Sequence, residues 1–360
     1  MKRTLGMITA AVLGLSLTLA GCGSDSDGGS GDSGKKAEGK IGVILPDTKS
    51  SVRWESADRP ALEAAFKAAG VDYDIQNAEG DADKMATIAD SMIADGVTVL
   101  AIVNLDSDSG ASIEEKAGKQ GVKTIDYDRL TLGGSADYYV SFDNTKVGEL
   151  QGQGLDKCLA GKDANIIYLN GSPTDNNATL FSQGAHSVLD KVSAYKKVGE
   201  QAVPDWDNEK AVTIFEQLYT KVDGDVQGVY AANDGLAGSV ISILQKNGQD
   251  GKVPVTGQDA TVEGLQNILA GTQCMSVYKS AKEEAGALAD AAIALAKGEK
   301  AETNGTTEDK TGNRQVPSIL LTPKSITKDN VKDVVDDGGA KASDICTGSF
   351  EKLCADAGIS

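Results

Sequence analysis

The chain has a single histidine, His186, in 360 residues. A Ser-His-Asp or Cys-His arrangement therefore has one candidate base, and no motif supports it. His186 falls inside the amphipathic stretch "FSQGAHSVLDK", which assigns it to a helix surface or core edge rather than to catalysis. The chain also has no G-x-x-x-x-G-K-[ST] phosphate loop. "GELQGQG" (148–154) contains G-x-G, but it lies in a helical pattern and not after a strand. No two cysteines have C-x-x-C spacing, which argues against a structural zinc site or a thioredoxin-like motif. The acidic stretch "SDSDGGSGDSG" lacks the glutamate that closes an EF-hand loop. Catalytic residues, metal ligands and cofactors are accordingly assigned to none. Paired carboxylates for glycoside hydrolysis depend on spatial proximity, so a surface sugar-processing enzyme stays as the enzyme alternative.

Positive charge is scarce as well. Lys and Arg total 35 against 53 Asp and Glu, a formal net charge of −18. A polyanion without a basic stripe is repelled by phosphate backbones, which excludes nucleic acid as a partner. Aromatics make up 4% of the chain, with two tryptophans, Trp54 in "SVRWES" and Trp206 in "VPDWDNE". Both sit in polar loop contexts, not in apolar runs.

What is present begins with the leader. "MKRT" is basic, "LGMITAAVLGLSLTLA" is an apolar core too short for a comfortable membrane span, and "LAGC" ends in Cys22. Leu19-Ala20-Gly21-Cys22 resembles a bacterial lipobox. That resemblance implies a lipoprotein signal peptide over 1–21, cleavage before Cys22 and acylation of Cys22. Loss of Lys2 and Arg3 with the leader takes the net charge to −20. Residues 22–39 are Gly, Ser and charge, a flexible tether with nothing apolar to bury. The expected location is extracytoplasmic, anchored to the outer face of the cell membrane through the N-terminal lipid, or periplasmic.

About 320 residues follow from Lys40, enough for two lobes of ordinary domain size. "IGVILP", "DYDIQNA", "VTVLAIVN" and "VKTIDYD" alternate with amphipathic stretches, the pattern of βαβ units and a parallel sheet. A second series begins near Asp143 with the helix "TKVGELQGQGLDKCLAG". The strands "ANIIYLNG", "KKVGEQ", "VQGVYAAN" and "VPVTGQD" follow. The fold class is α/β, two doubly wound parallel-sheet lobes.

In such sheets ligands sit beyond the carboxyl ends of strands. Those ends here read "LPDTKSSVRW", "YDRL", "NGSPTDNN", "AANDG" and "GQDA". Asp and Asn at these positions also suit helix N-caps, whereas Arg53 and Arg129 are not explained by capping. Pyranose rings present flat C–H faces to aromatics and hydroxyls to planar donors and acceptors. Trp54 and Trp206 with Arg, Asn and Asp at strand ends meet that requirement.

"RW", "YDRL", "SFDNTKVGELQ", "GSPTDNNA", "AANDG", "TGQDA", "AGTQCMSVYK" and "VPSILLTP" occur in this order. Together they resemble the bacterial periplasmic D-xylose-binding proteins of sugar ABC transporters, within the ribose- and galactose-binding superfamily. The resemblance runs from about Lys40 to Gly339. "PDTKSSVRW" is similar to the related multiple-sugar (glucose and galactose) binders, and Asn233 in "AAND" to the xylose binders. The tail "DICTGSFEKLCADAGIS" departs from the common family pattern.

The resemblance implies a type I periplasmic binding fold with a three-segment hinge. The N-terminal lobe would span 40–143 plus 280–322, the C-terminal lobe 144–279 plus 323–345, and the Cys-containing tail 346–360. It implies a monomer that binds a monosaccharide, D-xylose or a related aldopyranose, and delivers it to ABC permease subunits. Arg53 and Arg129 would donate to hydroxyls and Trp54 would form an apolar wall. Asn177 and Asn233 would bond hydroxyls, Trp206 would stack on a ring face, Asp259 would accept, and Lys279 would complete the set. Asp175 and Asn176 would cap the helix and shape the turn.

Cys158, Cys274, Cys346 and Cys354 permit two disulfides in three pairings. Cys346 and Cys354, eight apart, are expected to pair and pin the tail. Cys158 and Cys274 either pair within the second lobe or remain buried thiols. For the anchor, Cys22→Ser is expected to release the protein into the medium or leave it unprocessed. Membrane fractionation checks this, and variant protein that is cleaved normally yet stays on the membrane would overturn the lipoprotein reading.

Overall fold

In the computed structural model, which describes residues 39–359, "KIGVIL" forms strand β1 (Lys40–Leu45), buried at all but its first residue. The leader, most of the tether and Cys22 lie outside the described residues. A strand this apolar needs cover on both faces, as parallel sheets do. The chain continues through α1 (Arg59–Ala69), β2 (Asp72–Asn77), α2 (Ala82–Ala94), β3 (Val97–Ile102), α3 (Ser107–Lys119), β4 (Lys123–Tyr127) and β5 (Tyr138–Phe142). After α4 (Asn144–Leu159) come β6 (Ala164–Asn170), α5 (Asn176–Leu189), β7 (Tyr195–Ala202), α6 (Asn208–Lys221) and β8 (Gly228–Ala231). Then follow α7 (Asp234–Lys246), α8 (Val262–Ala270), β9 (Ser276–Tyr278), α9 (Ala281–Ala296), β10 (Gly305–Asp309) and β11 (Arg314–Leu321). The chain ends with β12 (Lys324–Ile326), α10 (Lys332–Asp337), α11 (Ala342–Ile345) and α12 (Phe350–Asp356).

One sheet has the order β10-β11-β5-β4-β3-β1-β2, parallel except for the β10–β11 hairpin. A second has the order β7-β6-β8, all parallel, and β9 pairs with β12 antiparallel. The chain therefore passes between the two sides three times, after β5, after β9 and after β11. The strand expected over "VPVTGQD" is a correction. That segment makes only isolated bridges, Val255 to Val229 and Gln258 to Val277. Pro254 has no N–H to give a ladder, yet its carbonyl still accepts from Val229 at 2.9 Å.

Side-chain oxygens close the turns from strand to helix. Asp81, Asp106, Asp143, Asp175, Asp207 and Asn233 each accept a first-turn backbone N–H, as N-cap residues do. Asn176 makes no cap of its own; Asp175 does, through Asn177 N at 2.9 Å.

The cysteines settle into two bridges. Cys158–Cys274 joins the end of α4 to the approach to β9, with Cα atoms 6.5 Å apart. Cys346–Cys354 joins α11 to α12 at 5.7 Å. The stapled tail packs on α8, where Gln266 Nε2 donates to Ile345 O at 2.9 Å and Leu265, Ile268, Ile345 and Cys354 share one apolar cluster.

"GELQGQG" has its explanation here. Helices α4 and α5 touch backbone to backbone: a Cβ on Gly148 would lie 1.9 Å from Phe181 O, and one on Gly184 would lie 2.2 Å from Thr145 O. The glycines let two helices close on one another and hold no phosphate. Gly148→Ala is expected to destabilise by ~1–3 kcal/mol or more through forced separation of α4 and α5. Gly118→Ala, in α3 with nothing near its Cβ, should instead stabilise by ~0.5–1 kcal/mol. Urea midpoints moving in opposite directions at constant slope would check the pair.

Candidate ligand-binding site

All eight residues singled out in the sequence line one cleft of about 340 Å³ of empty space, its mouth included. Arg53 and Trp54 open the π-helical turn (Trp54–Asp58) after β1, and Arg129 follows β4. Across from them, Asn177 begins α5, Trp206 ends a 3-10 turn after β7, and Asn233 caps α7 after β8. Asp259 precedes α8, and Lys279 lies between β9 and α9. All but Asp259, which follows the isolated bridges at Val255 and Gln258, sit beyond the carboxyl end of a strand.

Asp128, beside Arg129, is the hub between the two sides. Its carboxylate meets Arg53 Nη1 and Lys279 Nζ, each at 3.3 Å, and accepts from Asn177 Nδ2 at 3.0 Å. Its carbonyl accepts from Ser141 Oγ at 2.8 Å, Asn177 Nδ2 at 2.9 Å and Tyr139 Oη at 3.0 Å. Burial opposes ionisation of Asp128, but Lys279, Arg53 and Arg129 outweigh it and hold the carboxyl at about 2.

Arg53 is gripped side-on by Asp58, Nε to Oδ2 at 2.9 Å and Nη2 to Oδ1 at 2.6 Å, with Glu284 also on Nη2. Burial disfavours its charge, yet Asp58, Glu284 and Asp128 together push it well above the ordinary guanidinium range. Its Cζ lies 4.6 Å over the Trp54 ring. Trp54 in turn donates from Nε1 to Ser50 Oγ at 3.1 Å and is buried. Arg129 donates to Asn104 O at 3.1 Å and Ser50 Oγ at 3.3 Å; its Nε lies 3.1 Å from Asp175 Oδ2, outside hydrogen-bonding geometry.

On the far side, Asp175 Oδ2 also accepts from Trp206 Nε1 at 3.1 Å, so one residue caps α5 and orients an aromatic wall. The Trp206 ring passes directly over Gly171, where any Cβ would lie 2.0 Å from its Cη2. Asn233 uses Oδ1 to cap α7 at 2.9 Å, and among the described residues its Nδ2 donates to no protein group. Asp259 is half-buried and bonded to Gln258 Nε2. Burial raises its carboxyl above the usual range, with Lys279 and Arg53 opposing. Burial lowers Lys279, but Asp128 and Asp259 outweigh it and raise its ammonium. Asp128, Trp206 and Asp259 all have left-handed backbone, at φ 59°, 54° and 94°. Each such residue costs ~1–3 kcal/mol, and such strain gathers at functional sites.

Two sequence expectations change in detail. The tryptophans, set among polar neighbours in the sequence, are buried, because each indole N–H finds an oxygen inside the cleft wall. Asn177 lines the cleft, but its amide is engaged by Asp128 and by Asn144 Nδ2 at 2.8 Å, linking the two sides. Sequence reasoning missed Asp128, although "YDRL" contains it, and missed Asp58 and Glu284, which lie in helical stretches that look like solvated faces. It also missed Asp337, whose Oδ2 accepts from Tyr278 Oη at 2.6 Å and Ser280 Oγ at 2.8 Å, on either side of Lys279. His186 stands apart, stacked on Tyr168 at 4.3 Å and bonded to Asp190 and Glu200.

The arrangement suits a small polyhydroxylated ring. Hydroxyls donate and accept at once, and the cleft offers ionised groups of both signs between two indoles.

A family profile described as "Periplasmic binding protein domain" matches residues 41–300. The chain is 36% identical over 312 residues to the D-xylose-binding periplasmic protein of Escherichia coli, covering 86% of this chain and 93% of that protein. It is 32% identical to the multiple sugar-binding periplasmic receptor of Rhizobium radiobacter over 96% of this chain and 99% of the other. Among solved structures it is similar to a carbohydrate transporter solute-binding protein from Chloroflexus aurantiacus in complex with D-glucose. The TM-score is 0.77 and the identity 30%, over 84% and 97% of the two chains.

Asp128→Asn removes the carboxylate that Arg53 and Lys279 share, leaving Arg53 to Asp58 and Lys279 to Asp259, an expected loss of ~1.5–3 kcal/mol at neutral pH. A folded-state carboxyl near 2 against ~3.9 unfolded stabilises above about pH 4, and that contribution disappears as pH falls through 2. The stability gap between parent and variant should therefore narrow from pH 4 to pH 2 in denaturant titrations. A gap that stays constant over that range would show that Asp128 is not held ionised by its neighbours.

Proposed function

The chain belongs to the periplasmic binding protein family, and from that premise we propose that it is the substrate-binding receptor of a sugar ABC transporter. It captures a monosaccharide, D-xylose in the first instance, between two lobes and hands it to the permease subunits. The lobes comprise 40–143 with 280–322 and 144–279 with 323–345. Acylated Cys22 holds the receptor on the outer face of the cell membrane. No residue is assigned a catalytic role.

The observation that carries this reading is the convergence of Arg53, Trp54 and Arg129 from one side and Trp206, Asn233, Asp259 and Lys279 from the other on a single cleft. The arginines donate to ring hydroxyls, Asp259 accepts, Asn233 donates from Nδ2, and the two indoles flank the ring. Asn177 acts through Asp128 as much as on the sugar. A sugar with a misplaced hydroxyl leaves such groups desolvated and unpaired, at ~1–3 kcal/mol each, and is rejected. A ligand touching both sides favours closure by its extra contacts there.

A second reading, a multiple-sugar receptor for glucose and galactose, is favoured by the Rhizobium relative spanning 96% of the chain and by the glucose-bound structural neighbour. The two differ in whether a C6 hydroxymethyl fits. Calorimetry with a panel of pentoses and hexoses separates them, and product analysis of the same mixtures tests the enzyme alternative.

Arg129→Ala and Asp259→Ala lie on opposite sides, yet each should weaken sugar binding tenfold or more, since one charged hydrogen bond contributes ~1.5–3 kcal/mol. Trp206→Ala should also remove much of any sugar-induced tryptophan fluorescence change, while His186→Ala binds normally. Parent-like affinity in both Arg129→Ala and Asp259→Ala would place the sugar elsewhere.

A further inference from the structure

Behind the cleft, α9 brings Glu284 to the far side of Arg53. The residue is fully buried, and its Oε2 accepts from Arg53 Nη2. Its Oε1 has no hydrogen-bond partner among the described residues.

The surrounding groups do not balance. From the turn after β1 come Arg53 and Asp58, from the end of β4 Tyr127 and Asp128, from β5 Tyr139, and from the end of β9 Lys279, with Asp259 beyond it. Tyr127 and Tyr139 are held well above the ordinary phenol range, first by burial, so they stay neutral. Four carboxyl groups thus face two cations. Arg129 and Asp175 offset one another and leave the excess unchanged.

Three of the four carboxyls have several donors or a route to water. Asp58 accepts from Arg53 Nε, Arg53 Nη2 and Tyr127 Oη. Asp128 touches both cations and Asn177. Asp259 is half-buried and borders the cleft. Glu284 alone is fully buried with a single donor and one bare oxygen, and a bare buried charge costs more than a bare buried hydroxyl.

We propose that Glu284 is a positioning residue for Arg53 and performs that role as a neutral acid. It accepts from Nη2 without cancelling the guanidinium charge, and so leaves Nη1 directed at Asp128 and the cleft. Burial, with Asp128 and Asp58, pushes the Glu284 carboxyl up to about 8 against the pull of Arg53 and Lys279. The functional part of this inference rests on the sugar-receptor reading; the protonation state does not.

The test uses the folded parent chain, Glu284→Gln and Glu284→Ala. Glu284→Ala removes the acceptor and should weaken D-xylose binding, or that of the best ligand in the panel, tenfold or more at pH 7. Glu284→Gln, neutral and of the same shape, should recover most of that loss. Without sugar, the folded parent keeps a proton that the unfolded chain loses above ~4.3. Its melting temperature should therefore fall relative to Glu284→Gln as pH rises from 5 to 8, and run parallel to it above that. An ionised Glu284 predicts the reverse: Gln binds as poorly as Ala, or fails to fold, and the melting profiles run parallel from pH 5 to 9. Either result overturns the proposal, as does parent-like binding by Glu284→Ala. If the parent binds no sugar at all, the receptor reading fails while the melting profiles still decide the proton.

Discussion

The cleft depends on one carboxylate held between two sides of the molecule. Asp128 is buried, carries left-handed backbone and joins Arg53, Lys279 and Asn177 through its side chain, while its carbonyl accepts from Asn177 again and from Tyr139 and Ser141. A buried charge is tolerable only when paired and hydrogen-bonded, and Asp128 meets both conditions with partners from both sides of the cleft. Arg53 is thereby aimed from one side and Lys279 from the other. The side chains nearest a ligand are fixed by contacts with each other.

A second constraint lies in the rear wall. Lys279 stands where the chain crosses from β9 to α9, and Asp337 grips the residues before and after it. Tyr278 also packs in the apolar cluster that contains Ile345 and Cys354 of the stapled tail. The C-terminal segment, the least family-like part of the sequence, thus buttresses a residue of the cleft. Its small disulfide keeps that buttress from fraying.

Much of this architecture was legible in the residues. Alternating apolar runs and amphipathic stretches identify the strands and helices, because burial on both faces demands continuous β-branched runs. The cleft residues were legible because Arg53 and Arg129 have no capping role, and because the two tryptophans sit among polar neighbours. Capping does not remove Asn233 from the cleft lining, because its Oδ1 caps α7 while its Nδ2 is left over. Less legible were Asp58 and Glu284, which in sequence look like ordinary helix-surface acids. The π-helical turn brings Asp58 onto Arg53 from five residues away, and tertiary packing brings Glu284. The segment "VPVTGQD" misled for a local reason, since its composition is that of a strand while Pro254 interrupts the ladder.

The position of β1 has a mechanical side. Chain upstream of Lys40 transmits any pull directly to this strand, which lies between β2 and β3 and is parallel to both. A force along its axis loads two ladders of hydrogen bonds in shear at the same time, whereas an edge strand would be loaded on one side only. A load applied at Lys40 therefore enters the frame at a well-braced point. The turn that carries Arg53 and Trp54 follows this same strand, so these two cleft residues share its bracing.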